Sequence, residues 1–125
     1  MPQDTEKTMK ELAARLWEFP IEEYLSSENF LRFCRQYDLE DHWKEYLELS
    51  RDIPELYGSA VIKNAFVRFL HHIYSSRPDE FPSLFAILVR DFSGGISCAL
   101  PVDDLKSDLL HLGYSRQEIA TQFPV

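Results

Sequence analysis

Cysteine is scarce: the 125 residues hold two, Cys34 and Cys98, in no CxxC or Cys/His cluster. That excludes a disulfide-dense scaffold and a cysteine-ligated zinc module. Apolar neighbours flank each thiol, so two buried free cysteines are expected, with a disulfide as the alternative. Glycine is scarce too, at four residues, and neither a GxxxxGK[ST] phosphate loop nor a GxGxxG dinucleotide fingerprint occurs. HExxH and GxSxG are also missing. No unbroken apolar run approaches the roughly 20 residues of a membrane span, so no membrane association is expected. The first residues, Met1-Pro2-Gln3-Asp4-Thr5-Glu6, are polar and acidic where a signal peptide is basic and then apolar, which predicts a cytoplasmic protein. Positive charge is in short supply: 13 Lys and Arg stand against 21 Asp and Glu, for a net of −8. Phosphate-backbone binding draws its affinity from counterion release by basic side chains, so nucleic acid is an unlikely partner.

What the chain does have is grease in a helical rhythm. Hydrophobic residues make up 45% and charged residues 27%, with nine Phe, six Tyr and two Trp. That balance and length fit one globular domain over residues 1–125 with enough core to fold without staples. Met9, Leu12, Ala13, Leu16 and Phe19 form a 3.6-residue stripe, with Asp4 or Thr5 as its cap and Pro20 as its stop. A short turn over Ile21 to Leu25 follows, then a helix capped by Ser27 that carries Phe30, Phe33, Cys34 and Tyr37. Asp38 is placed to cap a fourth helix bearing Leu39, Trp43, Tyr46 and Leu47, which Ile53-Pro54 interrupts.

The fifth helix, from Pro54 or Ser59 to Ser75, is the longest. Ile62, Phe66, Phe69, Leu70 and Ile73 are its main stripe, and Val61, Ala65, Val67 and Tyr74 widen it. So broad an arc predicts the central helix, around Ala60–Tyr74, buried by several neighbours or covered by a partner. Arg77-Pro78-Asp79 breaks it. A sixth helix with Phe81, Leu84, Phe85, Leu88 and Phe92 ends at Gly94-Gly95, expected to be a left-handed stop. Ile96 to Val102 lacks helical rhythm and reads as an extended loop or one short strand. The seventh helix carries Leu105, Leu109 and Leu112 and closes at Gly113. In the last, Ser115 and Glu118 make a capping box and Tyr114 with Ile119 a hydrophobic staple. The expected fold is all-α: a compact single-domain bundle of six to eight helices with one long central helix.

Charge is uneven along this bundle. Residues 1–62 hold 7 basic and 14 acidic side chains, against 6 and 7 in residues 63–125. Asp38 to Glu55 contains seven acids, whereas Leu56 to Pro78 contains none but has Lys63, Arg68, Arg77 and two histidines. These regions are expected to pack side by side and offset each other. Asn64, Arg68, His71, His72 and Ser75 share one face of the central helix, where an arginine fork and two imidazoles could grip a carboxylate or phosphate. Lys63, Asn64, Arg68, His71 and His72 are therefore the candidate partner-binding residues. Asp104, Asp108 and His111 also share a helix face with possible metal ligands, but acids early and His late are what the helix dipole favours. No catalytic residue, metal site or cofactor is assigned.

Two stretches carry resemblances. Arg35 and His42 in RQYDLEDH are similar in spacing to the Arg/His pair that acts on the scissile phosphate in HEPN-type ribonucleases. The resemblance implies a ribonuclease or toxin as an alternative, though Asp38, Glu40, Asp41 and Glu45 crowd the place and would repel RNA. The segment DLLHLGYSRQEIATQF is similar to the helix–LGY–helix unit of ubiquitin-associated and related three-helix modules. That resemblance implies a small exposed apolar patch at Leu112, Gly113 and Tyr114. The favoured function is a non-enzymatic interaction or adaptor module that docks onto another protein or itself, as a homodimer for instance. Its motive is apolar area expected to exceed what one small core covers, on Tyr57, Val61, Val67, Tyr74, Ile87 and Val89. A further alternative is an acidic modulator that mimics nucleic acid through Glu40, Asp41, Glu45 and Glu48.

Overall fold

A computed structural model describes residues 2–94 and 101–122, with side chains from Thr5 onward. Its order is α1 Pro2–Trp17, α2 Ile21–Leu25, α3 Glu28–Gln36, α4 Glu40–Arg51, α5 Ser59–Ser76, α6 Phe81–Ser93, α7 Val102–His111 and α8 Arg116–Gln122. The described residues contain no strand. The all-helical bundle follows from the stripes: Met9, Leu12, Ala13, Leu16, Phe30, Phe33, Phe66 and Phe69 all enter one continuous core. Phe30 sits at its middle, with ring centroids 5.1 Å from Trp43, 5.5 Å from Tyr24 and 5.7 Å from Phe69. Edge-on arrangements of this kind add to the area term because ring edges and faces carry opposite partial charge.

Helix ends explain where the periodicity stops. The Ser27 side chain accepts from the Phe30 amide at 3.4 Å, capping α3 as its sequence predicts. At the other end of α3, Asp38 does not cap α4. It takes a left-handed conformation with φ 58°, so that the Leu39 amide donates to Cys34 O at 2.7 Å and the Asp38 amide to Arg35 O at 3.4 Å. This is a Schellman closure, with Asp in the place usually held by Gly. Gly113, at φ 106°, closes α7 the same way: the Tyr114 amide reaches Leu109 O at 3.3 Å. The capping box of α8 is formed in both directions, at 3.0 and 3.1 Å.

Two other expectations about the elements need correction. Asp4 and Thr5 lie inside the first turn of α1, which starts at Pro2; proline lacks the amide that a first turn leaves unpaired anyway. Gly94 is right-handed at φ −66°, not left-handed, and Gly95 lies outside the described residues. The loop or strand expected over 96–102 also lies outside them, apart from Pro101 and Val102, which open α7.

The long α5 packs on α1, α2 and α4, but it is not the most enclosed helix. Five of its 18 residues are buried, against eight of the 13 in α6. Val89, expected to be surplus apolar surface, is buried within α6. One long side of α5 therefore remains open, and the candidate residues lie along it.

Candidate functional site

The five polar residues expected on one face of α5 divide between two neighbours. Asn64 and His72 turn toward α4: Ser50 Oγ donates to Asn64 Oδ1 at 2.9 Å, and the Tyr46 hydroxyl meets His72 Nδ1 at 3.1 Å. The His42 ring lies on that of His72, with centroids 4.1 Å apart. Burial, His42 and Arg77 push the His72 pKa down, against the opposing pull of Glu45. Arg68, His71 and Ser75 instead face outward. The acid-rich α4 does pack on the acid-free α5, but through these neutral polar contacts; among the described residues no ion pair joins the two helices.

The outward side of α5 faces α1 across a groove in two connected parts. One part, about 460 Å³, is bounded by Glu6, Met9, Tyr46, Val67, Arg68, His71, His72 and Ser75. The other, about 550 Å³, is bounded by Lys7, Lys10, Glu11, Ala14, Leu56, Ala60, Lys63, Asn64 and Val67. Val67 borders both, and together they follow α5 from Ala60 to Ser75. The second part is mostly apolar, and Lys7, Lys10, Lys63 and Arg68 border the groove together with Glu6 and Glu11. Lys10 pairs with Glu6 at 3.4 Å, while Lys7, Lys63 and Arg68 form no ion pair among the described residues. Tyr57, in the turn before α5, is 79% exposed.

All five sequence candidates thus line this groove, but Lys7 and Lys10 were not among them. The signal was present: Lys7, Lys10 and Ala14 fall at i, i+3 and i+7, on one side of α1. What the spacing alone does not carry is that this side of α1 lies beside α5.

The other candidates are occupied by structural partners. Arg35 donates to Glu40 at 3.0 Å and lies 3.9 Å from Glu28, while His42 stacks on His72. Arg35 and His42 are therefore engaged separately. Asp108, 1% exposed, accepts from Arg15 at 2.7 Å, and Asp104 lies 3.6 Å from the same guanidinium; together they clamp α7 to α1. Among the described residues, no group of three or more His, Cys, Asp or Glu is placed to hold a metal ion. Cys34 is a buried free thiol, its pKa pushed up to about 12 by burial; Cys98 lies outside the described residues.

The expected apolar patch at Leu112, Gly113 and Tyr114 is turned inward. Leu112 is buried, and its carbonyl accepts from the Tyr74 hydroxyl at 2.7 Å. The Tyr114 ring packs against Tyr74 and Phe81, and its hydroxyl donates to Pro78 O at 2.6 Å. The Gly-aromatic turn here is part of the core's edge. A separate cleft of about 500 Å³ beside α2 and the end of α6 holds the Tyr24 hydroxyl, which donates to Asp91 at 2.6 Å. That bond joins α2 to α6. No helix of the described residues is long and apolar enough to cross a membrane. Comparison with known proteins finds no family model, no curated protein and no solved structure that matches this chain.

Proposed function

We propose that this chain is a non-enzymatic interaction module that docks a protein partner along the α1–α5 groove. The observation that supports it is the groove itself: a mostly apolar part beside α1, bordered by Lys7, Lys63 and Arg68, which hold no ion pair among the described residues, with Glu6 and Glu11 also on its edge, on a chain of net charge −8. Cations that hold no ion pair among the described residues favour a partner that brings acidic side chains to them. Ala14, Ala60 and Val67 leave room for apolar side chains between them. A contact of this kind joins hydrophobic burial at the centre to charge at the rim, as protein interfaces do.

The test is comparative capture from the source cell. Wild-type chain and the double variant Lys63→Glu/Arg68→Glu are used side by side as bait, with identification by mass spectrometry. The reading expects at least one protein retained by wild type and lost by the variant, with loss also in high salt. Identical captures from the two baits would remove the groove as a docking site. The ribonuclease alternative receives no support from the positions of Arg35 and His42. His42→Ala with His72→Ala, assayed for RNA cleavage, decides it: an activity abolished by the pair would restore that reading.

A further inference from the structure

We infer that the occupant of the α1–α5 groove is a second copy of this chain, presenting the outer stripe of its α4; this rests on the docking reading above and names its partner. Asp41, Glu45, Glu48 and Asp52 follow at i, i+4, i+7 and i+11, one line along the helix. All four are exposed, and none forms an ion pair among the described residues. Leu49, beside them, is 45% exposed. The opposite side of α4 holds Trp43 and Ser50 in the core, so this outer stripe is free to approach another molecule.

The two surfaces match in kind. Among the described residues, the groove offers Lys7, Lys63 and Arg68 without an ion pair beside a mostly apolar part, with Glu6 and Glu11 on the same edge, and α4 offers Leu49 beside four acids without an ion pair. Two copies of net charge −8 repel in other orientations, because acid then meets acid; this pairing places the unlike charges together. A molecule cannot fill its own groove this way, since its α4 is already packed on α5 by the inner face. Groove and stripe are different places, so two copies can close a reciprocal dimer in which each stripe meets the other's groove, and copies joined at only one of the two surfaces extend head to tail.

Light scattering on a sizing column tests this with the protein alone. Wild type is expected to grow beyond its 14.7 kDa mass as concentration rises and to shrink back in high salt. The groove variant Lys63→Glu/Arg68→Glu and the stripe variant Glu45→Lys/Glu48→Lys should each stay monomeric. Mixed in equal amounts, they should form a 1:1 complex of twice that mass and stop, because one intact stripe meets one intact groove. That complex also shows both variants to be folded. Wild type that is monomeric at every concentration overturns the inference, whatever the variants do. So does an oligomer of wild type that the groove variant leaves intact. If wild type is monomeric yet the groove variant loses a captured cellular protein, self-association falls and the docking reading stands. If nothing is lost either, both fall.

Discussion

Asp108 shows what a single side chain can be asked to do in this fold. Its carboxylate is 1% exposed and is held by the Arg15 guanidinium at 2.7 Å, across a sequence separation of 93 residues. A buried charge with its partner removed is costly, so Arg15→Ala should destabilise by about 3 kcal/mol, read from the urea midpoint. A change below about 1 kcal/mol would mean that water replaces the guanidinium without penalty. Asp38 is a smaller case of the same kind. It holds φ 58° to close α3, a conformation that costs a residue with a side chain but not glycine. Asp38→Gly should therefore stabilise by about 0.5 kcal/mol, an increase visible in the thermal midpoint. Neither role is visible in the sequence. Asp108 reads as one of several acids on α7, and an aspartate just ahead of a helical stripe reads as its N-cap. The backbone of α3 needed a closure before α4 needed a cap.

Between elements, the α4–α5 seam carries a built-in dependence on acid. Tyr46 and His42 of α4 meet His72 of α5 there, with Glu45 and Arg77 acting on it from either side. The folded protein disfavours the His72 cation, chiefly through burial, so its pKa lies below the 6.5 of an unperturbed imidazole. The unfolded chain then binds the proton first as pH falls. Stability from this site is complete above pH 6.5 and declines in acid until His72 titrates in the folded state as well. Urea midpoints at neutral pH and about one unit below that value should fall less in His72→Gln than in wild type. An equal fall would place the acid sensitivity elsewhere. The element-scale lesson concerns α5 and α6. Breadth of apolar arc marked α5 as the helix to be enclosed, yet α6 is buried on more of its circumference. Periodicity counts greasy positions on one helix; α5 meets α1, α2 and α4 and still leaves its outer side open, so enclosure depends on where the neighbours lie and not on their number.

For the whole molecule, the distribution of charge matters more than its total. The acidic excess lies on surfaces such as the outer stripe of α4, while Lys7, Lys63 and Arg68 border the groove between α1 and α5. These cations hold no ion pair among the described residues, so they contribute little to the fold. Lys63→Glu/Arg68→Glu should leave the thermal midpoint within about 3 °C of wild type, even where it abolishes association. A larger drop would make the rim a structural feature. The Gly113 turn shows the converse at this scale. Its sequence is similar to turns that expose an apolar patch, but here the Tyr74 hydroxyl donates to Leu112 O and the Pro78 carbonyl accepts from Tyr114, which draws Leu112 and Tyr114 into the core's edge.

The sequence by itself determined the helices, their caps at Ser27 and Ser115, the breaks at Pro20 and Pro78, and nearly every side chain of the core. Those features depend on neighbours within about one helical turn, which is the range over which spacing carries information. It also marked Lys63, Asn64, Arg68, His71 and His72 as belonging together, because all five share one helix. Tertiary structure alone decided that α1 brings Lys7 and Lys10 to the same groove, that His72 turns to His42, and that Arg15 reaches Asp108. Each of those joins residues far apart along the chain, and only the packing of one helix on another sets which of them meet.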